Sequence, residues 1–327
     1  MNKKCRKLIG VLFVVVAHLT IGGSIAWGGY PDKPVNAIMP FAPGGAPEMV
    51  FRPLLEVVRK KLGQPVVIIN KPGGGGVAGS GEVARAKSDG YTLLLNFGGG
   101  EHLVEPHMAD APFNTLKDFS PVVMISYFPS GLFVRVNAPW KTLEAFIDHA
   151  KKNPGTLRYS HPGRGTINHL AALALEKKAG IKMSDIPTAG GAAAMNMLLG
   201  DHVEAAQIGA PVAWPQVEAK QIRCLVQSLP KSSELYPGTP TYMERGFDIR
   251  MAVNQGVAAP RNTPREVIQI LHDAFAEAFR EKSLQDVIRT VRFVPNYMNT
   301  EETAKYINEM YAYYGKLIQD LGIPKKK

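Results

Sequence analysis

The chain has little cysteine: it contains two such residues in 327, Cys5 and Cys224. Cys5 precedes an apolar stretch predicted below to be removed, where it cannot carry a lipid, and no Leu-x-x-Cys lipobox is present. Only Cys224 would then remain, so no intramolecular disulfide could form even in an oxidising compartment. Stability must therefore come from a hydrophobic core. The 45% apolar content, 32 glycines and 25 prolines suit two lobes of about 100 to 200 residues each, rich in strand-to-helix turns.

Nucleotide and catalytic motifs are also absent. The glycines of Gly73–Gly76 are not followed by Gly-Lys-Ser/Thr, and Gly98–Gly100 lacks the Gly-x-Gly-x-x-Gly spacing that opens a dinucleotide-binding helix. Ser80, within Gly79-Ser80-Gly81, departs from the nucleophile elbow by a residue and has no evident His/Asp partner order. We therefore expect no enzyme, although an enzyme on the same lobes is a rival that a nucleophile with a partnered base in the cleft would reveal.

Histidine and basic residues do not cluster in the sequence. His102, His107 and His161 lie in or near turns, but they lack the spacing of metal ligands, so we predict no metal site. The 38 basic and 28 acidic residues give a formal charge of +10, which falls to about +6 when the four N-terminal cations are removed. The remaining bases are spread between acids without an aromatic stripe, which excludes a recognisable nucleic-acid footprint. A modest positive charge favours encounter with a small anion.

The N-terminus has the layout of a secretory signal. Four cations at positions 3, 4, 6 and 7 precede a nearly uninterrupted apolar run, Leu8–Ala26, and Ala26-Trp27-Gly28 supplies small residues at the spacing that a signal peptidase accepts. A single-span anchor is the alternative, but the run is borderline in length, because a membrane helix needs roughly 20 strongly apolar residues. We therefore predict a cleaved signal peptide over residues 1–28 and a periplasmic protein.

The mature chain alternates short apolar runs, Gly/Pro-rich turns and helix-period segments, which is typical of βα units in parallel sheets. We predict a first lobe from residues 29–130 plus 256–327 and a second lobe from residues 131–255. Val122–Ser126 and Leu132–Val136 are predicted as strands that carry the chain into the second lobe, and Met251–Ala258 as the return. Two crossings imply a double-stranded hinge between Rossmann-like lobes, with the ligand cleft between them.

Glycine-rich turns before predicted helices are the candidate anion sites. Gly44-Gly45 precede the helix predicted from Glu48, and Gly190-Gly191-Ala192 precede the helix of the other lobe. Free N–H groups at a helix N-terminus bind anions well. The alternative is that these glycines only permit turns with positive φ. Glu48 either compensates the helix dipole or bonds to the ligand directly.

Gly163–His169 is the most polar of these turns. Arg164 could pair with a carboxylate through two parallel hydrogen bonds. Thr166 could donate to a ligand or cap the helix that follows. Phe41, Phe97, Phe128 and Trp214 could form an aromatic wall, with core packing as the alternative role.

Several segments, in this order, resemble the periplasmic solute receptors of the tripartite tricarboxylate transporter family, also called Bug receptors. The similar segments are Tyr30–Pro34, Met39–Gly45, Leu62–Val67, Asn70–Gly73, Asp89–Leu94, and Gly165-Thr166 with His169–Ala171. The resemblance covers essentially the whole mature chain. It implies a type II periplasmic binding-protein fold, no cofactor, a small carboxylate ligand and cognate membrane transporter subunits as partners. The departures from the family pattern described below add a dicarboxylic ligand as one option, and the possible aromatic wall adds an aromatic one. We expect the protein to be a monomer. A receptor that signals to a membrane sensor protein is the alternative.

By matching position, the resemblance implies ligand contacts from residues 41–46, 98–102, 163–166, 191–192 and 208–210. Within these ranges and the turns above, the candidate ligand-binding residues are Phe41, Ala42, Gly44, Gly45, Ala46, Glu48, Gly99, His102, Gly163, Arg164, Thr166, Gly191, Ala192 and Gly209. The chain departs from the family pattern at Pro47-Glu48, Arg164 and Ile208-Gly209. Loss of an acid and gain of a base there favour an anionic ligand over an amino acid.

Overall fold

A computed structural model describes residues 29–44, 46–229, 231–233 and 235–325. The predicted signal peptide and Gly45 lie outside the described residues. Among the described helices, none combines the length and apolar character that crossing a bilayer requires.

Strands and helices alternate through most of the described chain. The strands are β1 (Val35–Met39), β2 (Val66–Asn70), β3 (Thr92–Phe97), β4 (Phe119–Arg135), β5 (Arg158–His161), β6 (Ser184–Pro187), β7 (Ala205–Gly209), β8 (Ile222–Gln227), β9 (Ala252–Pro260) and β10 (Val294–Met298). The helices are α1 (Ala46–Leu62), α2 (Val77–Ala84), α3 (Gly100–Leu103), α4 (Glu105–Met108), α5 (Leu143–Lys152), α6 (Ile167–Ala179), α7 (Gly191–Leu199), α8 (Ala210–Glu218), α9 (Arg265–Arg280), α10 (Lys282–Thr290) and α11 (Thr300–Asp320).

The strands form two groups that share β4. The order along the sheet is β2-β1-β3-β9-β4-β7-β5-β6, and β8 and β10 also pair with β4. We call the group of β1, β2, β3, β9, β10 and the first part of β4 lobe 1. Lobe 2 comprises β5 to β8 and the last part of β4. Both lobes contain parallel pairs, β1 with β2 and β3, and β5 with β6 and β7.

The predicted break within the first crossing is wrong. The structure has one strand, β4, where the sequence predicted Val122–Ser126 and Leu132–Val136 as separate strands. The chain continues because Pro129 still pairs with Ala252 of β9, while the next residue, Ser130, already pairs with Gly209 of β7. Pro129-Ser130-Gly131 resembles a turn in sequence. The segment stays extended because Pro129 pairs with β9, and Ser130 and Gly131 pair with β7.

The return crossing lies beside the first. Ser228, directly after β8, donates its backbone N–H to the Ser130 carbonyl at 2.9 Å, and its own carbonyl accepts from the Met251 N–H at 2.6 Å. The Ser228 hydroxyl lies 2.8 Å from both the Ser130 and the Met251 carbonyl oxygens. The two chain segments that join the lobes are therefore hydrogen-bonded to each other. The predicted lobe limits at residues 130 and 255 stay a prediction.

Apolar periodicity places the helices on the sheet. Helical spacing predicts one apolar face for α1, formed by Val50, Leu54, Leu55, Val58 and Leu62; the first four are buried and Leu62 is half-buried. Sequence reasoning missed the short elements β6, α3, α4, α8, α10 and β10.

Helix α11 begins with a capping box that can be tested. The Asn299 side chain accepts from the Glu302 N–H at 2.9 Å, and the Glu302 carboxylate accepts from the Asn299 N–H at 2.9 Å. Asn299→Ala should lower the free energy of unfolding by about 1 kcal/mol in urea titrations. Asn308→Ala, at an exposed position of the same helix, is the matched control and should cause no loss, because alanine has the higher helix propensity. Equal losses in both variants would contradict the cap assignment.

Candidate functional site

A cavity of about 380 Å³ lies between the lobes, where α6 of lobe 2 faces α3 and α4 of lobe 1. Its lining residues are Phe41, Gly74, Gly75, Gly100, Glu101, Glu105, Arg164, Gly165, Thr166, Ile167, Asn168 and Val253. Of the residues predicted individually, Phe41, Arg164 and Thr166 line this cavity. Its volume lies in the range of small-molecule sites, roughly 300 to 1,000 Å³.

The lobe 2 wall is the N-terminus of α6. Thr166 is the N-cap residue, and its hydroxyl donates to the Gly163 carbonyl at 2.8 Å while accepting from the His169 N–H at 3.3 Å. The structure therefore shows the capping alternative for Thr166. The backbone N–H groups of Ile167 and Asn168 have no hydrogen-bond partner among the described residues. Because the helix dipole places positive potential at this end, these two N–H groups can receive an anion.

Arg164 is held at the rim of the cavity by Asp185. Its Nη2 lies 2.9 Å from Asp185 Oδ2, while the side chain remains 60% exposed. Asp185 reaches this position because β6 runs parallel to β5 and places it opposite Tyr159. The ion pair restricts the guanidinium and offsets part of its charge, yet leaves N–H donors for a ligand.

A cluster of three possible metal ligands lies beside Arg164 and consists of His161, His169 and Asp185. Their ligand atoms lie within 4.8 Å of one another, which is close enough to hold a metal ion. The sequence spacing gave no sign of this cluster, because it depends on the pairing of β5 with β6. The bonding within it is not that of a preformed metal site. The Gly165 N–H donates to His169 Nδ1 at 3.2 Å, which leaves the proton of a neutral ring on Nε2, the atom that would face the metal. Burial lowers the pKa of His169 to about 4, and His161 adds to this effect.

The lobe 1 wall carries acids that individual prediction missed. Glu101 lines the cavity although it is only 6% exposed, and its Oε1 accepts from Asn96 Nδ2 at 2.7 Å. Asn96 Oδ1 accepts in turn from Gln255 Nε2 at 2.5 Å. Burial raises the pKa of Glu101 to about 7, so near neutral pH its carboxyl group exists in both protonation states. Glu105 lines the same wall and is half-buried.

His102 lies behind this wall and is fully buried. The ring packs against Phe97, Phe113 and Phe119. Its Nε2 lies 3.0 Å from the Ser80 hydroxyl. Burial lowers the pKa of His102 to about 3, so the ring is neutral at physiological pH.

Ser80 therefore has the histidine partner that sequence reasoning did not find. The Glu101 carboxylate lies 3.5 Å from the other ring nitrogen of His102, Nδ1, which completes a Ser–His–Glu series. Ser80 is nevertheless fully buried, and its hydroxyl donates to the Gly76 carbonyl at 2.8 Å. A nucleophile needs access to substrate, so the series acts as packing and hydrogen bonding beneath the cavity.

The first glycine loop has a different arrangement from the open anion trap that was predicted. The Gly44 N–H donates to Glu48 Oε2 at 2.6 Å, and the other carboxylate oxygen pairs with Arg52. Glu48 is 3% exposed and compensates the start of α1. Ala42 and Gly44 are exposed, and neither they nor Glu48 line the cavity. The predicted contact of the Ala46 side chain, like that of Gly45, lies outside what the structure describes.

The remaining predicted residues lie at or near the ends of helices and strands and do not line the cavity. Gly99 precedes α3, Gly163 accepts the Thr166 hydroxyl, Gly191 and Ala192 begin α7, and Gly209 ends β7. His102 is likewise absent from the lining.

Three of the four predicted wall aromatics pack elsewhere. Phe97 packs against Phe119, Phe128 against Phe293, and Trp214 lies under the Arg292 guanidinium. Only Phe41 of the four lines the cavity. The aromatic-wall interpretation is therefore wrong for the other three.

The two α/β lobes share a long strand, are joined by two adjacent crossings and enclose a cavity. This is the architecture of a solute-binding receptor with the type II periplasmic binding-protein fold. A family model described as "Tripartite tricarboxylate transporter family receptor" matches residues 50–323. The chain belongs to this family, as its sequence motifs predicted.

Known relatives extend over nearly the whole chain. Protein BugT of Bordetella pertussis is 27% identical over 98% of this chain and 99% of its own length. A TctC solute binding protein from Polaromonas, solved without ligand, is 31% identical with a TM-score of 0.78 and covers 89% of this chain and 99% of its own. A protein of R. palustris solved with adipate is 25% identical with a TM-score of 0.79, covering 91% and 100%. The family model is named for a receptor and the Polaromonas protein as a solute binding protein, in agreement with the expectation that the chain is not an enzyme.

Glu101 should make stability depend on pH. Its folded pKa of about 7 lies above the ordinary value of 4.5, so the folded state retains a proton that the unfolded state releases between these values. The free energy of unfolding of the wild type, relative to Glu101→Gln, should therefore fall as pH rises from about 4.5 to about 7 and stay level above it. Urea titrations across this range measure the difference, and parallel curves for the two proteins would contradict the assignment.

Proposed function

We propose that this chain is a periplasmic receptor that captures a small carboxylate, dicarboxylic or aromatic, for membrane subunits of the tripartite tricarboxylate transporter type. The observation that carries the proposal is the set of donors at the start of α6. Two unpartnered backbone N–H groups, of Ile167 and Asn168, and the Arg164 guanidinium border the cavity between the lobes. A carboxylate placed there would accept charge-assisted hydrogen bonds at a positive helix end.

The acidic lobe 1 wall bears on the charge of the ligand. With Glu101 ionised, the cavity would hold two carboxylates against one guanidinium that is already paired with Asp185. A protonated Glu101 donates a hydrogen bond and removes one negative charge. Capture of a dicarboxylate therefore favours the protonated form, which the raised pKa of Glu101 makes available near neutral pH.

The structure solved with adipate supports the carboxylate class, since that R. palustris protein has the same fold over 91% of this chain. A thermal-shift screen of mono-, di- and aromatic carboxylates, followed by calorimetry, tests the proposal directly. A ligand at 100 times its dissociation constant should add about 2.7 kcal/mol to the free energy of unfolding. No shift with any carboxylate of a broad panel would refute it.

Arg164 gives a sharper test. Arg164→Gln should weaken binding of the best carboxylate about 10- to 100-fold, because a hydrogen bond to a charged group contributes roughly 1.5–3 kcal/mol. Arg158→Gln is the matched control: Arg158 lies in the same lobe, is similarly paired with a carboxylate, Glu204, and is absent from the cavity lining. The affinity of the Arg158→Gln variant for the carboxylate should match that of the wild type. An equal loss of affinity in both variants would indicate a general effect of charge on lobe 2.

The location follows from the N-terminal sequence. The protein recovered from a periplasmic extract should begin near residue 29, as intact mass and N-terminal sequencing would show. Ala26→Arg should block processing, because the peptidase accepts small residues at this position. Recovery of the full-length chain in the membrane fraction of the wild type would instead support the single-span anchor.

Transport is tested in cells. Deletion of the gene that encodes this chain should abolish uptake of its ligand in cells that retain intact membrane subunits. Normal uptake combined with loss of a transcriptional response to the ligand would favour the sensor alternative.

A further inference from the structure

We propose that the side-chain amide of Asn168 is a ligand-binding donor, oriented by a hydrogen-bond relay through Ser130 and Gln207. The inference rests on the proposed carboxylate receptor and adds a specificity-determining residue to it. Asn168 lies within the polar turn Gly163–His169, but neither the family segments nor the predicted contact ranges included it.

The relay has a defined direction. Gln207 Nε2 donates to the Ser130 hydroxyl oxygen at 2.7 Å, and that hydroxyl donates to Asn168 Oδ1 at 2.6 Å. The Tyr242 hydroxyl donates to Gln207 Oε1 at 3.2 Å in this arrangement, with the nitrogen of the Gln207 amide facing Ser130. With Gln207 so placed, a reversed Asn168 amide would give the Ser130 hydroxyl two N–H donors and no acceptor for its own proton. The placement of Gln207 in the structure therefore assigns Asn168 Oδ1 to Ser130.

The opposite end of the amide has no protein partner. Asn168 is 7% exposed, it lines the cavity, and its Nδ2 makes no hydrogen bond with any described residue. The Nδ2 atom is not itself fully buried, so its two unused donors are accessible from the cavity and would gain hydrogen bonds from an acceptor that enters it. A ligand oxygen in the cavity is such an acceptor.

The neighbouring groups are also donors. The backbone N–H groups of Ile167 and Asn168 and the Arg164 guanidinium border the same cavity. An acceptor with two oxygens can engage several of these groups at once, whereas a ligand group that is itself a donor would leave them unpaired. The chemical class that fits is a carboxylate, and a primary amide fits less well because its NH₂ group faces other donors.

The relay also connects the cavity to the hinge. Ser130 is the residue at which β4 passes from lobe 1 to lobe 2. Its carbonyl accepts from the Ser228 N–H, and the Ser228 carbonyl accepts in turn from the N–H of Met251, where the return crossing begins. Gln207 lies in β7, fully buried. Buried residues, Ser130 and Gln207, therefore position Asn168. This restricts the orientations of its side-chain amide before a ligand binds.

The test compares acid and amide ligands on three variants. The probes are adipate, succinate and benzoate with their primary amides, measured by calorimetry at one pH and salt concentration. Asn168→Ala should weaken binding of the best acid about 10- to 100-fold. Asn168→Asp keeps an acceptor for Ser130 but places a carboxylate oxygen in the cavity, so it should weaken the acid at least about 100-fold.

The ratio of acid to amide affinity separates a ligand contact from a structural role. Asn168→Asp should lower this ratio at least about tenfold, since the new oxygen accepts from an amide NH₂ and repels an acid. A purely structural defect would weaken both ligands alike, and the ratio is internal to each variant, so partial destabilisation does not obscure it. Ser130→Ala, which removes only the tether, should weaken the acid less than Asn168→Ala.

Asn196→Asp, at an exposed position of α7, is the control for an added negative charge in lobe 2 and should leave both affinities unchanged. If the wild type binds neither these acids nor any other carboxylate of the broad panel, the proposed function fails. If the wild type binds an acid and both Asn168 variants bind it as Asn196→Asp does, with an unchanged ratio, the role of Asn168 is overturned while the receptor function stands.

Discussion

The shared hydrogen-bond ladder of β4 is the constraint on which the architecture depends. Its first part, residues 119–129, pairs with β9 across two register shifts, and its last part, residues 130–135, pairs with β7 and β8. A strand whose amide groups are satisfied in two sheets cannot be displaced without losing bonds in both. The lobes are therefore connected at one defined point of β4. Hydrogen bonds from Ser228 to Ser130 and from Met251 to Ser228 link the return crossing to this point. The cavity between α6 and α3 exists because this connection places the two helix starts opposite each other.

Charge is divided between the two walls of that cavity. Lobe 2 presents backbone N–H groups, a guanidinium and an amide, whereas lobe 1 presents Glu101 and Glu105. Buried acids next to an anion site are unfavourable unless one of them takes up a proton. The environment of Glu101 permits this, because its burial favours the neutral form. The cavity can therefore adapt its charge to the ligand by a single protonation.

Much of the fold could be predicted from sequence because the βα alternation, the apolar face of α1 and the family motifs are local patterns. The continuous β4 could not, since Pro129-Ser130-Gly131 resembles a turn and only its partners keep it extended. At the site, Arg164 and Thr166 were found because polar residues before a helix are visible in sequence. Asn168, Glu101 and Glu105 were not singled out, because a side chain in the first turn of a helix carries no mark of whether it faces a cavity or solvent. Asp185 was missed because its contact with Arg164 depends on strand pairing.

The bond between Glu48 and the Gly44 N–H has a further consequence. The loop that opens α1 already contains a carboxylate, supplied by a residue four positions along the chain. An intramolecular partner competes at an effective concentration that is millimolar or higher, far above that of a scarce nutrient outside the cell membrane. A solute carboxylate would gain little by exchanging with it at this loop. For the carboxylate proposed to bind at α6, the Glu48 carboxylate would act as an internal competitor at the α1 loop and would direct the charged end of that ligand toward lobe 2.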